Sequence, residues 1–108
     1  MPFTVLVTHH ASRDLEELNN YIALNDAPEK AEQVLARIEK VFGSLSETPL
    51  RGTYPRELLS IGIREYRELF FKPYRIVYRV IGRNVYVLLI ADGRRDFQAL
   101  LQRRLLEG

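Results

Sequence analysis

Residues 74–96 constrain the fold more than any other part of this chain. Tyr74-Arg75-Ile76-Val77-Tyr78-Arg79-Val80-Ile81 and Val85-Tyr86-Val87-Leu88-Leu89-Ile90-Ala91 are two β-branched, aromatic-rich runs joined by Gly82-Arg83-Asn84. Such runs, separated by so short a turn, specify an antiparallel pair of strands. The arginines set into the first run, and Arg94-Arg95 just past the second, add a second constraint. A guanidinium inside a strand has to reach solvent, an acid or a phosphate. Two-fold alternation puts Tyr74, Ile76, Tyr78 and Val80 on one face and Arg75, Val77, Arg79 and Ile81 on the other.

The remaining patterns place this pair in a domain. Phe3, Val5 and Val7 alternate as a short strand, and Thr8 is placed to cap a following helix. Ala11, Leu15, Leu18 and Ile22 recur on one helical face. Asn25-Asp26-Ala27-Pro28 breaks and restarts the chain, with Asp26 as the expected cap and Pro28 in the first turn. Ala31, Val34, Leu35, Ile38, Val41, Phe42 and Leu45 form the stripe of a second helix, to about Ser46. Residues 46–60 hold Pro49, Gly52 and Pro55 and read as a crossing loop. A strand from Ile63 to Phe71 turns at Lys72-Pro73 into the pair described above. After Gly93, Phe97, Leu100, Leu101 and Leu105 give a C-terminal helix of about ten residues, with Asp96 as its cap. The expected order is β-α-α-β-β-β-α, an α+β fold with an antiparallel sheet packed against an N-terminal helix hairpin. The 108 residues suffice for one such domain, spanning 1–108.

Charge is distributed unevenly. Residues 1–50 carry four basic and eight acidic side chains, whereas residues 51–108 carry twelve basic and six acidic. A basic half calls for an acidic partner. The face carrying Arg75 and Arg79, which Arg67 or Arg64 can join, is a candidate site for phosphates or carboxylates, because guanidinium forks bind both. The competing account is cross-strand pairing of these arginines with Glu65, Glu68 or Asp92. The helix acids, Asp14, Glu16, Glu17, Glu29, Glu32 and Glu39, read as solvated outer faces. His9 and His10 are the only histidines and lack the companions of a metal site, so no metal and no cofactor is expected. No run approaches the roughly 18 apolar residues of a membrane span. The start of the chain has no signal-like region and cysteine is absent, so a cytoplasmic location without membrane contact is expected.

Four pieces occur in order: Ala11, Asp14-Leu15, Leu18 and Tyr21-Ile22; Leu45, Pro49 and Gly52; Tyr74-Arg75-Ile76-Val77-Tyr78-Arg79-Val80; and Gly93-Arg94-Arg95-Asp96. With this element order they resemble the RelE/ParE superfamily of bacterial toxins, the toxic halves of toxin–antitoxin and plasmid-stabilisation pairs. The resemblance implies one of two activities. RelE-type members cut ribosome-bound mRNA with strand lysines, two arginines and commonly a tail tyrosine. ParE-type members share the fold, have a longer helix hairpin and poison DNA gyrase without a nuclease site. On the shared motif Arg75 and Arg95 fall on the two arginine positions. The lysine positions fall near Tyr66 and Glu68, and the tail tyrosine position near Leu101.

Those departures bear on the chemistry. Attack by a 2′-hydroxyl needs a base, an acid for the leaving oxygen and positive charge on the phosphate. Arginines supply charge but not proton transfer. The expectation is therefore a ParE-like toxin that inhibits DNA gyrase by binding it, neutralised by a cognate antitoxin of ParD-like type. Arg67, Arg75, Arg79, Arg94, Arg95, Phe97 and Leu101 are its expected contact surface. The alternative is a RelE-type endoribonuclease acting on ribosome and mRNA, with Arg75 and Arg95 on the scissile phosphate. A third reading is a non-toxic member that retains antitoxin binding alone.

Overall fold

The computed structural model describes residues 2–107. Along the chain run β1 (Thr4–Val7), α1 (His9–Asn25), α2 (Pro28–Glu47), α3 (Arg56–Leu59), β2 (Arg67–Phe71), β3 (Tyr74–Ile81), β4 (Asn84–Asp92) and α4 (Phe97–Glu107). Helix starts follow local chemistry. The Thr8 hydroxyl accepts from the Ala11 amide at 3.3 Å and donates to the Val87 carbonyl at 2.8 Å, tying α1 to β4 as it caps. Asp96 accepts from the Ala99 amide at 3.2 Å and caps α4 as expected. The α2 start differs: Ala27 is the cap residue and Pro28 opens the helix, while Asp26 lies 4.0 Å from Lys30 in an exposed pair.

The strand order is β1-β4-β3-β2. The expected antiparallel order holds for β2–β3–β4, but β1 joins β4 in parallel, with Val5 opposite Val85 and Val7 opposite Val87. The sheet is thus mixed. Alternation fixes which residues share a face but not which strand is the neighbour, so the sequence could not place β1. Strand β2 begins at Arg67 rather than Ile63, because the Ile63 amide returns to the Leu58 carbonyl and closes α3. At the β3–β4 turn Gly82 has φ of +60°, the left-handed geometry that glycine adopts without strain.

Both faces of the sheet are covered. Ala11 and Ile38 from α1 and α2 pack on Ile76, Val87 and Ile90, and Leu45 packs on Tyr78 and Val85. On the opposite face Leu58 of α3 and Phe97 and Leu101 of α4 cover Val77, Leu89 and Ala91. A bulge between β3 and β4 pairs Val77 with Leu89 and Tyr78 with Val87, leaving Leu88 without an opposite residue.

Candidate functional site

The β3 alternation and α3 together build a buried ionic cluster. Arg75 is 4% exposed, beneath α4, where the sequence left open whether a partner would reach it. Its Nε donates to Glu68 Oε1 at 2.7 Å, and its two Nη atoms donate to the Glu57 carboxylate at 2.8 Å each. Glu68 is one of the acids the sequence named as a cross-strand partner. Glu57 was missed, because α3 lies inside the segment read as loop. Pro55 ahead of Arg56-Glu57-Leu58-Leu59 was the available sign of a short helical turn. The Phe97 ring sits 3.8 Å from the guanidinium carbon and the Phe70 ring 5.6 Å from it. Gly93 makes room for this cluster: a Cβ there would stand 2.8 Å from Arg75 Cδ.

The electrostatics follow from one cation between two carboxylates. Burial pushes the Glu68 carboxyl up, opposed by its hydrogen bond from Arg75. The hydrogen bond from Arg75 holds Glu57 below the ordinary carboxylate range. Burial works against the Arg75 charge, yet the bonds to Glu57 and Glu68 raise its pKa overall. Every nitrogen of Arg75 has a carboxylate partner, so a phosphate at this position would have to displace one of them.

A second ionic tie secures the far end of α4. Arg104 forks onto Asp14 at 2.7 and 2.9 Å and also donates to the Leu88 carbonyl at 2.7 Å. The same Asp14 carboxylate accepts from the Ile90 amide at 3.0 Å. Backbone groups of β4 beyond the end of β1 are thus satisfied by side chains from α1 and α4. Asp14 therefore does not belong with the solvated acids of the outer helix faces.

The other expected contact residues fall in four settings. Phe97 and Leu101 are 3% and 2% exposed and belong to the core under α4. Arg67 turns away from Arg75 and Arg79: its guanidinium bonds the Leu50 and Gly52 carbonyls and the Tyr54 hydroxyl. Arg79 is half-buried over the Tyr66 ring at 5.6 Å. Arg94 and Arg95 are exposed, Arg94 in a 2.6 Å pair with Asp92 and Arg95 with its side chain in no hydrogen bond or ion pair among the described residues. Around Arg75 the surface is formed instead by Arg56, Lys72, Arg94 and Phe70, the last 61% exposed. Arg56, Lys72 and Phe70 had no periodic signal to single them out.

Comparison with known proteins agrees with this fold. Residues 5–97 match the family model described as "ParE toxin of type II toxin-antitoxin system, parDE". Toxin ParE3 of Caulobacter vibrioides is 34% identical over 100 residues, covering 93% of this chain and 96% of that protein. The chromosomal ParDE system of P. aeruginosa contains a chain that superposes with a TM-score of 0.69 at 21% identity, over 83% of this chain and 95% of that one, a likeness of fold. The RelBE2 toxin–antitoxin complex of Mycobacterium tuberculosis contains one with a TM-score of 0.59 at 29% identity, over 85% of this chain and 99% of that one.

Proposed function

Because this chain belongs to the ParE family of toxins from type II toxin–antitoxin systems, we propose that it stops growth by binding and inhibiting DNA gyrase, and that a cognate ParD-like antitoxin neutralises it. The observation that supports a binding inhibitor over a nuclease is the state of Arg75. At the position where the RelE resemblance implies a phosphate-holding arginine, this guanidinium is buried and saturated by Glu57 and Glu68. Two carboxylates beside a scissile phosphate repel it, and arginine is no proton shuttle. Tyr78 does not replace a general acid: it lies on the other face of β3, fully buried, with its hydroxyl accepting from the Gly52 amide at 2.9 Å. The antitoxin half of the reading draws on the family and on the ParDE and RelBE2 pairings.

The test is a purified gyrase supercoiling assay with the toxin in excess. Loss of supercoiling is expected, with restoration on adding the product of an adjacent antitoxin gene. Undisturbed supercoiling sinks the proposal. The RelE-type reading draws its support from the likeness to the RelBE2 complex, and it predicts cut transcripts in a translating extract at toxin levels that leave gyrase untouched.

A further inference from the structure

Two clefts meet at Arg94, which lines both. One, of about 810 Å³, lies between α3, the β2–β3 turn and the loop after β4, with Arg56 and Lys72 on its rim. The other, of about 620 Å³, lies between α1, the end of β4 and α4, with Arg95 and Arg103 on its wall. Their acids are nearly all spent inside the molecule. Glu57 and Glu68 are taken by Arg75, Asp92 by Arg94, and Asp14 by Arg104. Arg56, Lys72, Arg95 and Arg103 are exposed, and their side chains make no hydrogen bond or ion pair among the described residues. Against these four cations the two clefts leave only the carboxylate of Glu17 without a cationic partner.

We propose that Arg56, Lys72, Arg95 and Arg103 form a continuous cationic rim that binds the phosphate backbone of duplex DNA. The rim suits a regular polyanion better than a local cluster of acids, because its charges are spread over α3, the β2–β3 turn, the loop after β4 and α4. Backbone contacts position a protein on DNA, whereas base-edge contacts specify sequence. Neither cleft is lined by Asn or Gln, the side chains that read adenine, and contacts of the four cations to phosphates carry no sequence information. The inference rests on the gyrase reading for its setting, since gyrase acts on duplex DNA, and there the rim would grip the nucleic acid that the enzyme holds. The contact itself needs no gyrase.

Fluorescence anisotropy of a labelled duplex of mixed sequence, titrated with the full chain, tests it directly. Neutralising four phosphates gives a log–log salt slope of about −3.6, so affinity falls on the order of 100-fold between about 50 and 200 mM salt. Arg95→Ala and Lys72→Ala each reduce the slope by about one. The quadruple Arg56→Ala, Lys72→Ala, Arg95→Ala, Arg103→Ala variant loses binding, while Arg13→Ala, on the exposed surface of α1, retains it. Circular dichroism checks that the quadruple variant is folded; if it is not, the double Arg95→Gln, Arg103→Gln variant carries the test, with a slope reduced by about two. The proposal is overturned if duplex binding is absent or independent of salt, if the folded rim variants bind like the parent, or if a single-stranded RNA of equal length binds tenfold tighter. A folded rim variant that loses DNA binding supports the proposal whether or not it still inhibits supercoiling. Intact DNA binding without inhibition of supercoiling supports it too, and removes the gyrase reading alone.

Discussion

The guanidinium carbon of Arg75 lies 3.8 Å from the centroid of the Phe97 ring. This contact joins the first residue of α4 to an ionic cluster that otherwise belongs to β2, β3 and α3. The helix is therefore seated by a charge as well as by apolar burial. Replacing Phe97 by Leu keeps an apolar side chain under the helix and removes the ring. A loss of about 1–2 kcal/mol is expected from the missing cation–π contact and the smaller volume, read as a lower urea midpoint with an unchanged slope.

Removing the cation has a larger effect. Arg75→Met leaves Glu57 and Glu68 facing each other without a partner, and about 3–5 kcal/mol of stability is expected to go. The combination Arg75→Met, Glu57→Gln, Glu68→Met restores most of it, since an apolar replacement of a buried ionic group is often neutral. Chemical denaturation of the single and triple variants checks both outcomes. Equal losses in the two would mean that volume, not charge, decides.

The cluster also sets a pH dependence, in two opposing parts. Burial raises the Glu68 carboxyl, so between the ordinary and the raised value the folded chain holds a proton there that the unfolded chain has released. Stability from this group is fully present below the ordinary glutamate range and is lost as pH rises through its raised folded value. Glu57, held low by Arg75, behaves oppositely: its contribution is present above the ordinary range and is lost as pH falls through its lowered value. Glu68→Gln mimics the protonated form. The melting temperature of the variant relative to the parent is therefore expected to rise as pH increases from the ordinary glutamate value of about 4.3, the direction in which the parent loses this contribution. A difference that stays flat with pH would mean that burial does not raise this carboxyl.

Arg104→Ala strips the other tie. It removes the fork onto Asp14 and leaves the Leu88 carbonyl without its 2.7 Å donor. Charged hydrogen bonds of this kind contribute about 1.5–3 kcal/mol. Amide exchange is expected to quicken along α4 and at Ile90, whose amide is bonded to Asp14, while α2 keeps its protection. Uniform acceleration across the domain would show that the tie supports global stability only.

Much of this fold was legible because its periodicities are strong. The stripes from Ala11 to Ile22 and from Ala31 to Leu45, the two runs around Gly82, and the caps Thr8 and Asp96 all correspond to what the chain does. The α3 turn was not legible, since four residues between a proline and a serine carry no period. Without α3, Glu57 had no place, and Arg75 read as a residue facing outwards. The alternation rule put Arg75 on the correct face of β3, but it could not reveal that α3 and α4 close over that face. For the same reason Asp14 and Arg104, ninety residues apart, gave no sign of their pairing.

The parallel seating of β1 against β4 has a consequence in time. Val5 meets Val85, and Thr8 is bonded to Val87 through both its amide and its hydroxyl. During synthesis the first strand waits without its neighbour until the fourth has left the ribosome. The helix hairpin, complete by Glu47, meanwhile has no sheet on which to lay its apolar stripe. Pairings this distant in sequence are slow to form. The sheet that carries α1 and α2 is thus completed from its most distant strands, the first against the fourth.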